Sequence, residues 1–407
     1  MGSRVNNSVW SQNEHFFQLF FYSHRGATQN KNNSINQVFE KHWQCSTESQ
    51  HIFFLENELY NFGTHDLVLD GTFHLLKNQK EYNQVYIISV LYTTPNGDAT
   101  FSYPILFSLM KNRYTANYTE LFEVINDAYF RKFQVELSPI AFRLDCEQAV
   151  IRSIKEVYGP GSKIRLCTVH VMRNWRKHFI EAIGKVLFNT QLFQNVWDIL
   201  RGSFFLPFDA LEIITNYLKT KILPQVPAGS KVKFQKFLDK YMTKYYFGVN
   251  AIYPNAYWSY FSDIDDFSEF NMSTNSAEVI NRKLKNLAGN GKISFPTVCR
   301  KLRTFKEDYL VDYHHKVRHD NFNPRRKKVV RREEALLDLV REFSNLPFLE
   351  QFNDPQVGEP TVIQYCKKFA RVNRHLKLGT QDNDHSDIDL DQTCVPNFNE
   401  TLVYTEL

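Results

Sequence analysis

The sequence predicts an α/β protein: a mixed sheet of order β-β-β-α-β-α-β, interrupted by an all-helical insertion and flanked by helices. Three observations carry this expectation. Three successive segments, 67–76, 84–94 and 100–110, are rich in apolar and β-forming residues and joined by short connections, the pattern of an antiparallel meander. Two shorter apolar runs, 139–144 and 163–169, alternate with segments of helical spacing. From 171 to about 260 no convincing strand pattern recurs, and helical patterns break near Pro207, Pro224 to Pro227 and Pro254.

Each element has a local reason. Pro95-Asn96-Gly97-Asp98 is a turn signal between the second and third strands. Leu121, Phe122, Ile125, Ala128 and Tyr129 fall on one face of a helix over 115–133. The helix over 146–158 stops at Gly159-Pro160-Gly161. A loop rich in Asp and Ser, 262–276, leads into helices expected at 276–287, 295–319 and 333–343, and a further helix is expected at 34–43. Residues past about 379 are acidic and aperiodic, the composition of a disordered tail. The expected divisions are an N-terminal region 1–60 (a candidate for DNA binding or dimerisation), a first part of the core 61–180, the helical insertion 181–270, last core helices 271–320, a basic helical region 321–380 and the acidic tail 381–407.

Composition narrows the function classes. With 15 Gly in 407 residues, glycine-rich nucleotide-binding folds are poor candidates. No apolar run approaches the roughly 20 residues of a membrane span, so a soluble protein with no membrane partner is expected. The six cysteines are scattered without a framework, as suits a reducing compartment. The chain carries +5, yet 381–407 holds seven acids and no Lys or Arg, so the remainder is +12. A basic body points to a polyanionic partner.

The placement of two acids is more specific. Asp70 falls in the middle of the first strand and Asp145 at the end of the fourth. This element order is that of an RNase H-like fold, whose first and fourth strands are neighbours, so the two carboxylates are expected to meet across the sheet. Their flanks are apolar (Leu67, Val68, Leu69; Ile140, Phe142, Leu144). A carboxylate in such a strand is costly unless it is paired or holds a cation. Hard Mg²⁺ or Mn²⁺ suits such oxygen ligands, and a pair of such ions can serve both oxygens of a phosphodiester displacement. Asp66 competes with Asp70 for this role, and Asp145 has the alternative of capping the helix that follows.

Further motifs extend the pattern: Asp70-Gly71-Thr72-Phe73; Pro104-Ile105-Leu106 with Leu109; Arg143-Leu144-Asp145-Cys146-Glu147-Gln148-Ala149; Leu166-Cys167-Thr168-Val169-His170; Arg173-Asn174-Trp175; and Thr274-Asn275-Ser276-Ala277-Glu278 with Asn281. In this order and spacing they resemble the transposase domain of Mutator-like elements, over roughly residues 60 to 290. The resemblance implies a DDE transposase whose metal-binding triad is Asp70, Asp145 and Glu278. It implies two Mg²⁺ or Mn²⁺ ions, DNA ends and target DNA as partners, a homodimer or higher oligomer, and a nuclear location. Glu278 has a plainer alternative as a first-turn acid favoured by the helix dipole, with Asp263, Asp265, Asp266 and Glu269 as neighbouring competitors. A domesticated DNA-binding regulator is the runner-up, and an RNase H-like nuclease that only cuts is a third reading.

Other residues carry weaker expectations. Cys167 and His170 form the C-x-x-H shared with this family and the related hAT transposases; a structural role is favoured over zinc, since two ligands do not make a zinc site. Cys299 with His314 or His315 is a candidate second pair. Trp258, Trp197 or Trp175 is a candidate for stacking on an unpaired base. Arg282, Lys283 and Lys285 share the Glu278 helix and are candidate backbone contacts. The basic run Arg325, Arg326, Lys327, Lys328, Arg331 and Arg332 is either a phosphate contact or localisation signal, or a solvated turn. Mutator-like proteins often carry an N-terminal zinc module, but 1–60 holds a single cysteine, Cys45, with His42 and His51 nearby. Arg113 stands where the family often has an acid.

Overall fold

Strand β2 (Asp66–Phe73) has β3 (Gln84–Thr93) on one side and β5 (Phe142–Leu144) on the other. A computed structural model describes residues 49–55, 58–73, 82–94, 99–261, 275–289, 295–319, 327–346 and 355–373. With β1 (Gln50–Phe54), β4 (Thr100–Met110) and β6 (Ile164–Leu166) the sheet has six strands in the order β1-β4-β3-β2-β5-β6. Pairings among β1 to β4 are antiparallel, while β2, β5 and β6 run parallel. A central strand covered on both faces buries consecutive residues, which is why Leu67, Val68 and Leu69 are all buried and why β3 is almost wholly apolar.

The sheet thus has one strand more than expected. Gln50–Phe54 pairs with β4 from Gln50↔Met110 to Phe54↔Leu106. Its polar first residue hides the pattern, because the Gln50 side chain is itself buried and satisfied. Gln50 Nε2 donates to Asn117 O and to Glu120 Oε2, both at 2.8 Å, and its Oε1 accepts from Ser108 Oγ at 2.8 Å. The two short parallel strands are also briefer than expected. The last closes at Leu166, and helix begins at Thr168 rather than after Val169.

One irregularity in β4 is held from outside the sheet. Ile88 faces Leu106 but Ser89 faces Pro104, so Ile105 is an extra, bulged residue. Proline has no N–H for the ladder and sits at such bulges. The carbonyls of Pro104 and Ile105 accept from Lys306 Nζ, at 3.2 and 2.9 Å. Lys306 is buried and its Nζ lies 2.5 Å from Glu58 Oε2.

Helices α1 (Thr115–Phe133) and α2 (Gln148–Tyr158) connect β4 to β5 and β5 to β6, and α3 (Thr168–Ile183) leaves the last strand. Then follow α4 (Gln191–Gly202), α5 (Phe208–Tyr217) and α6 (Ala228–Lys236), the last continuing as a π-helical stretch, Phe237–Phe247. Among the described residues from 168 to 261 there is no strand. Trp175 anchors this helical region, with the rings of Phe204, Tyr246, Trp258 and Phe247 at 4.7, 5.2, 5.4 and 5.6 Å. The chain continues with α7 (Asn275–Ala288), α8 (Phe295–His319), α9 (Lys327–Ser344) and α10 (Pro355–Asn373). Helix α9 begins earlier than the expected 333–343, and Lys327, Lys328, Arg331 and Arg332 form its first turns. Among the described residues no helix is long and apolar enough to cross a membrane. The expected helix at 34–43, the acidic tail, Arg325 and Arg326 lie outside the described residues.

Helix α10 packs on α4 of the insertion. The approach is so close that a Cβ at Gly202 would stand 2.1 Å from Cys366 O and 2.4 Å from its Cα. A methyl group there has only backbone to displace. Gly202→Ala is therefore expected to lower stability by about 1–3 kcal/mol, the cost of overpacking a tight contact. Limited proteolysis reads the local consequence: earlier cutting around α10 in the variant is expected, and an unchanged cleavage pattern and melting temperature would refute it.

Candidate active site

The parallel register of β2 and β5 brings the two acids together. Leu67 faces Phe142 and Val68 faces Arg143, so two residues further on Asp70 comes opposite Asp145. Asp145 follows the last residue of β5, at the carboxyl end of the parallel pair, where α/β sheets open a crevice. Cys167 N–H donates to Leu144 O at 2.7 Å and starts α3, whose first turn carries His170. From the other side α7 lays its first turns against β2, and Asn281 Nδ2 donates to Asp70 Oδ2 at 2.7 Å.

Electrostatics mark Asp70. Burial, and next the charge of Asp145, push its carboxyl up to about 8; Cys167 and Glu278 add to this, while His170 works against it. His170 responds in the opposite sense. Burial disfavours its charged ring, but its contact with Cys167 and the carboxylates of Asp145 and Asp70 outweigh that and lift it to about 10. Asp70, Asp145, Glu278 and the His170 ring thus bear on one another's charge.

The arrangement suits a cation. Two carboxylates converge, and an enclosed polar atom, Asn281 Oδ1, lacks a hydrogen-bond partner among the described residues. Carboxylate oxygens are the donors that Mg²⁺ and Mn²⁺ prefer. The third expected acid, Glu278, lies in the first turn of α7 with Oε1 3.5 Å from Arg173 Nη1 of α3. Among the described residues no three His, Cys, Asp or Glu side chains are grouped so that they could hold a metal ion.

Several alternatives resolve. Asp66 is taken by Arg143, which meets its Oδ2 through Nε at 2.8 Å and Nη2 at 2.7 Å, across the β2–β5 pair. Cys167 is buried, and its contact with His170 stays within one turn. Cys299 and His314 or His315 lie along the single helix α8. At 1.5 Å per residue they are about 22–24 Å apart and cannot share an ion. Arg113 places its guanidinium 4.9 Å from the centre of the Phe73 ring, near the end of β2.

The stacking expectation for tryptophan is overturned. Trp258 is 1% exposed and its Nε1 donates to Tyr253 O at 3.1 Å; Trp175 and Trp197 are buried as well. They are the core of the insertion, the ordinary fate of large aromatics between helices. The basic candidates separate too. Arg282, Lys283 and Lys285 are exposed, but Lys283 Nζ turns toward α8, 4.7 Å from the Tyr309 ring centre, in an open groove that also holds Asp308 and Asp312. Arg282, one turn on from Glu278, and Lys285, a second turn on, share its face. On α9, Lys327, Lys328 and Arg331 are exposed, whereas Arg332 is half-buried with Nη2 3.7 Å from Glu333 Oε1.

Asn281 and Arg173 are contacts that spacing alone did not assign, although both fall in motifs the sequence displays. The chain matches none of the curated proteins. The family model of the MULE transposase domain matches residues 67–174, the stretch that holds Asp70, Asp145, Cys167, His170 and Arg173, so over this segment the chain is similar to the transposase domain of the Mutator-like element family.

Proposed function

We propose that the chain is a DDE transposase that cuts DNA ends and joins their 3′-OH groups to target DNA, with Asp70, Asp145 and Glu278 holding Mg²⁺ or Mn²⁺. The observation that carries this reading is the convergence of Asp70 and Asp145 on adjacent parallel strands, inside a segment matched by a transposase family model. The sheet supports an RNase H-like core: β4-β3-β2-β5-β6 gives three antiparallel strands followed by two parallel to β2. Strand β1 is an addition at its edge.

The protein's own groups divide the work. Asp70 and Asp145 present oxygens at one point. Asn281 fixes the rotation of the Asp70 carboxylate through its 2.7 Å hydrogen bond. Arg173 holds Glu278 at the mouth of the site, and completing the triad requires Glu278 to turn from it. Bound divalent ions would activate the attacking oxygen and neutralise charge on the leaving one. Positioning and charge neutralisation are what phosphoryl transfer chiefly asks of a protein.

Acting on paired ends requires at least a dimer, and acting on chromosomal DNA places the protein in the nucleus. The Arg173–Glu278 pair favours a second reading, a descendant that binds DNA and does not cut. The test is Mg²⁺- or Mn²⁺-dependent cleavage and joining of oligonucleotide ends taken from the DNA flanking the coding sequence. Joining that needs the metal and a 3′-OH end supports the transposase; binding with no cleavage in either metal overturns it in favour of the regulator.

A further inference from the structure

Helix α6 and its π-helical continuation form an amphipathic rod whose outer face has one sign of charge. Phe234, Phe237, Leu238, Tyr241, Met242 and Tyr245 are buried against the insertion core. Lys233, Lys236, Lys240 and Lys244 are all exposed. Their spacing of three, four and four residues puts them in one stripe alongside the buried one. The widened turns are documented by Gly248 N–H donating to Thr243 O, five residues back, at 2.9 Å.

Nothing on the same stretch balances this charge. Between Leu218 and Phe247 the single acid is Asp239, and Lys219 Nζ already meets it at 2.7 Å. Glu181 on the neighbouring α3 is engaged with His178 Nδ1 at 2.9 Å. Like charges one turn apart destabilise a helix, by about 0.2–0.5 kcal/mol per pair. A mixed surface would avoid that cost, and long π-helical segments are themselves uncommon outside functional sites.

The stripe has a defined relation to the acids. Phe234 and Phe237 pack on Phe179 near the end of α3, with ring centres at 6.0 and 5.4 Å, and Ser230 Oγ reaches Ile183 O at 3.5 Å. The opposite end of α3 carries His170. At 1.5 Å per residue the two ends are about 20 Å apart. The stripe runs back along α3 toward that end, since the Tyr241 ring lies 4.2 Å from His178 and the Tyr246 ring 5.2 Å from Trp175.

We propose that Lys233, Lys236, Lys240 and Lys244 form a duplex-DNA binding surface that grips the phosphate backbone alongside the point of cleavage. The assignment rests on the transposase reading for its choice of polyanion. It contributes position and affinity, not base recognition, because lysine contacts to phosphate carry no sequence information.

The experiment measures binding of a fluorescein-labelled duplex of arbitrary sequence over a range of salt concentrations. Each phosphate neutralised contributes about 0.9 to the slope of log K against log salt. The variant with all four lysines changed to Gln is expected to lose about 3–4 from that slope and to bind more weakly at every salt concentration. The fourfold Lys→Arg variant is expected to keep the slope. Because these lysines are exposed, unchanged melting temperatures certify the fold of both variants. An unchanged slope in the Gln variant overturns the proposal, as does a loss of slope in the Arg variant. Cleavage, scored separately, keeps the two ideas apart. Wild type that binds through the stripe without cutting sinks the enzyme and leaves the stripe; cutting with an unaltered slope does the reverse.

Discussion

Asp70→Asn is expected to lower metal-dependent strand cleavage by about 10³-fold or more, from a loss of about 4 kcal/mol of charge stabilisation. The same change is expected to leave the metal-free protein at least as stable as wild type. Asparagine has the shape of aspartate, and it removes a carboxylate enclosed by protein beside Asp145. The charge is thus a burden on the metal-free fold. Cleavage rate and melting temperature, each with and without Mg²⁺, check both halves. The stabilisation that Mg²⁺ confers on wild type by mass action should vanish in the variant. A large fall in metal-free melting temperature would mean that Asp70 holds the sheet together, and full activity would remove it from the site.

Asp66→Asn supplies the contrast, four residues back on the same strand. It removes the charge that Arg143, whose side chain is 6% exposed, meets between β2 and β5. Its effect should fall on stability, with activity lost only as the fold is lost. Two aspartates in one strand are then told apart by what each faces. Sequence spacing could nominate both but could not rank them by contact.

The site was legible where local pattern and chemistry coincide. Apolar flanks marked Asp70 and Asp145 as strand acids, and the element order made their strands neighbours, which the β2–β5 register supplies. What escaped depends on contacts between distant segments. Gln50 looks like a loop residue until Ser108, Asn117 and Glu120 surround its amide. Trp258 looked available for stacking because composition does not reveal that five aromatic residues share one core. The hold of Arg173 on Glu278 joins two helices more than a hundred residues apart, and no spacing rule reaches that far.

Lys306→Met is expected to cost about 3–5 kcal/mol, because removing one member of a buried ion pair strands the other. Here more than the pair is stranded. Glu58 loses its cation in a buried position, and the carbonyls of Pro104 and Ile105 lose the donor that the bulge in β4 depends on. Tyr103, stacked on Tyr313 at 5.0 Å, still donates to Glu58 and softens the loss on that side. Burial already holds Lys306 below the ordinary lysine value despite Glu58, so the ammonium is kept charged against the surroundings. The midpoint of urea unfolding reads the effect, and an unchanged midpoint would show that the pair is dispensable. The double variant Glu58→Leu with Lys306→Met should recover part of the loss, since neither side is then left charged, but not the part owed to the two carbonyls. Because α8 packs against both β4 and α7, the fastening also bears on the helix that carries Glu278 and Asn281. A destabilised Lys306→Met protein should therefore lose cleavage at temperatures where its sheet is still folded, as the α7–α8 pair loosens first.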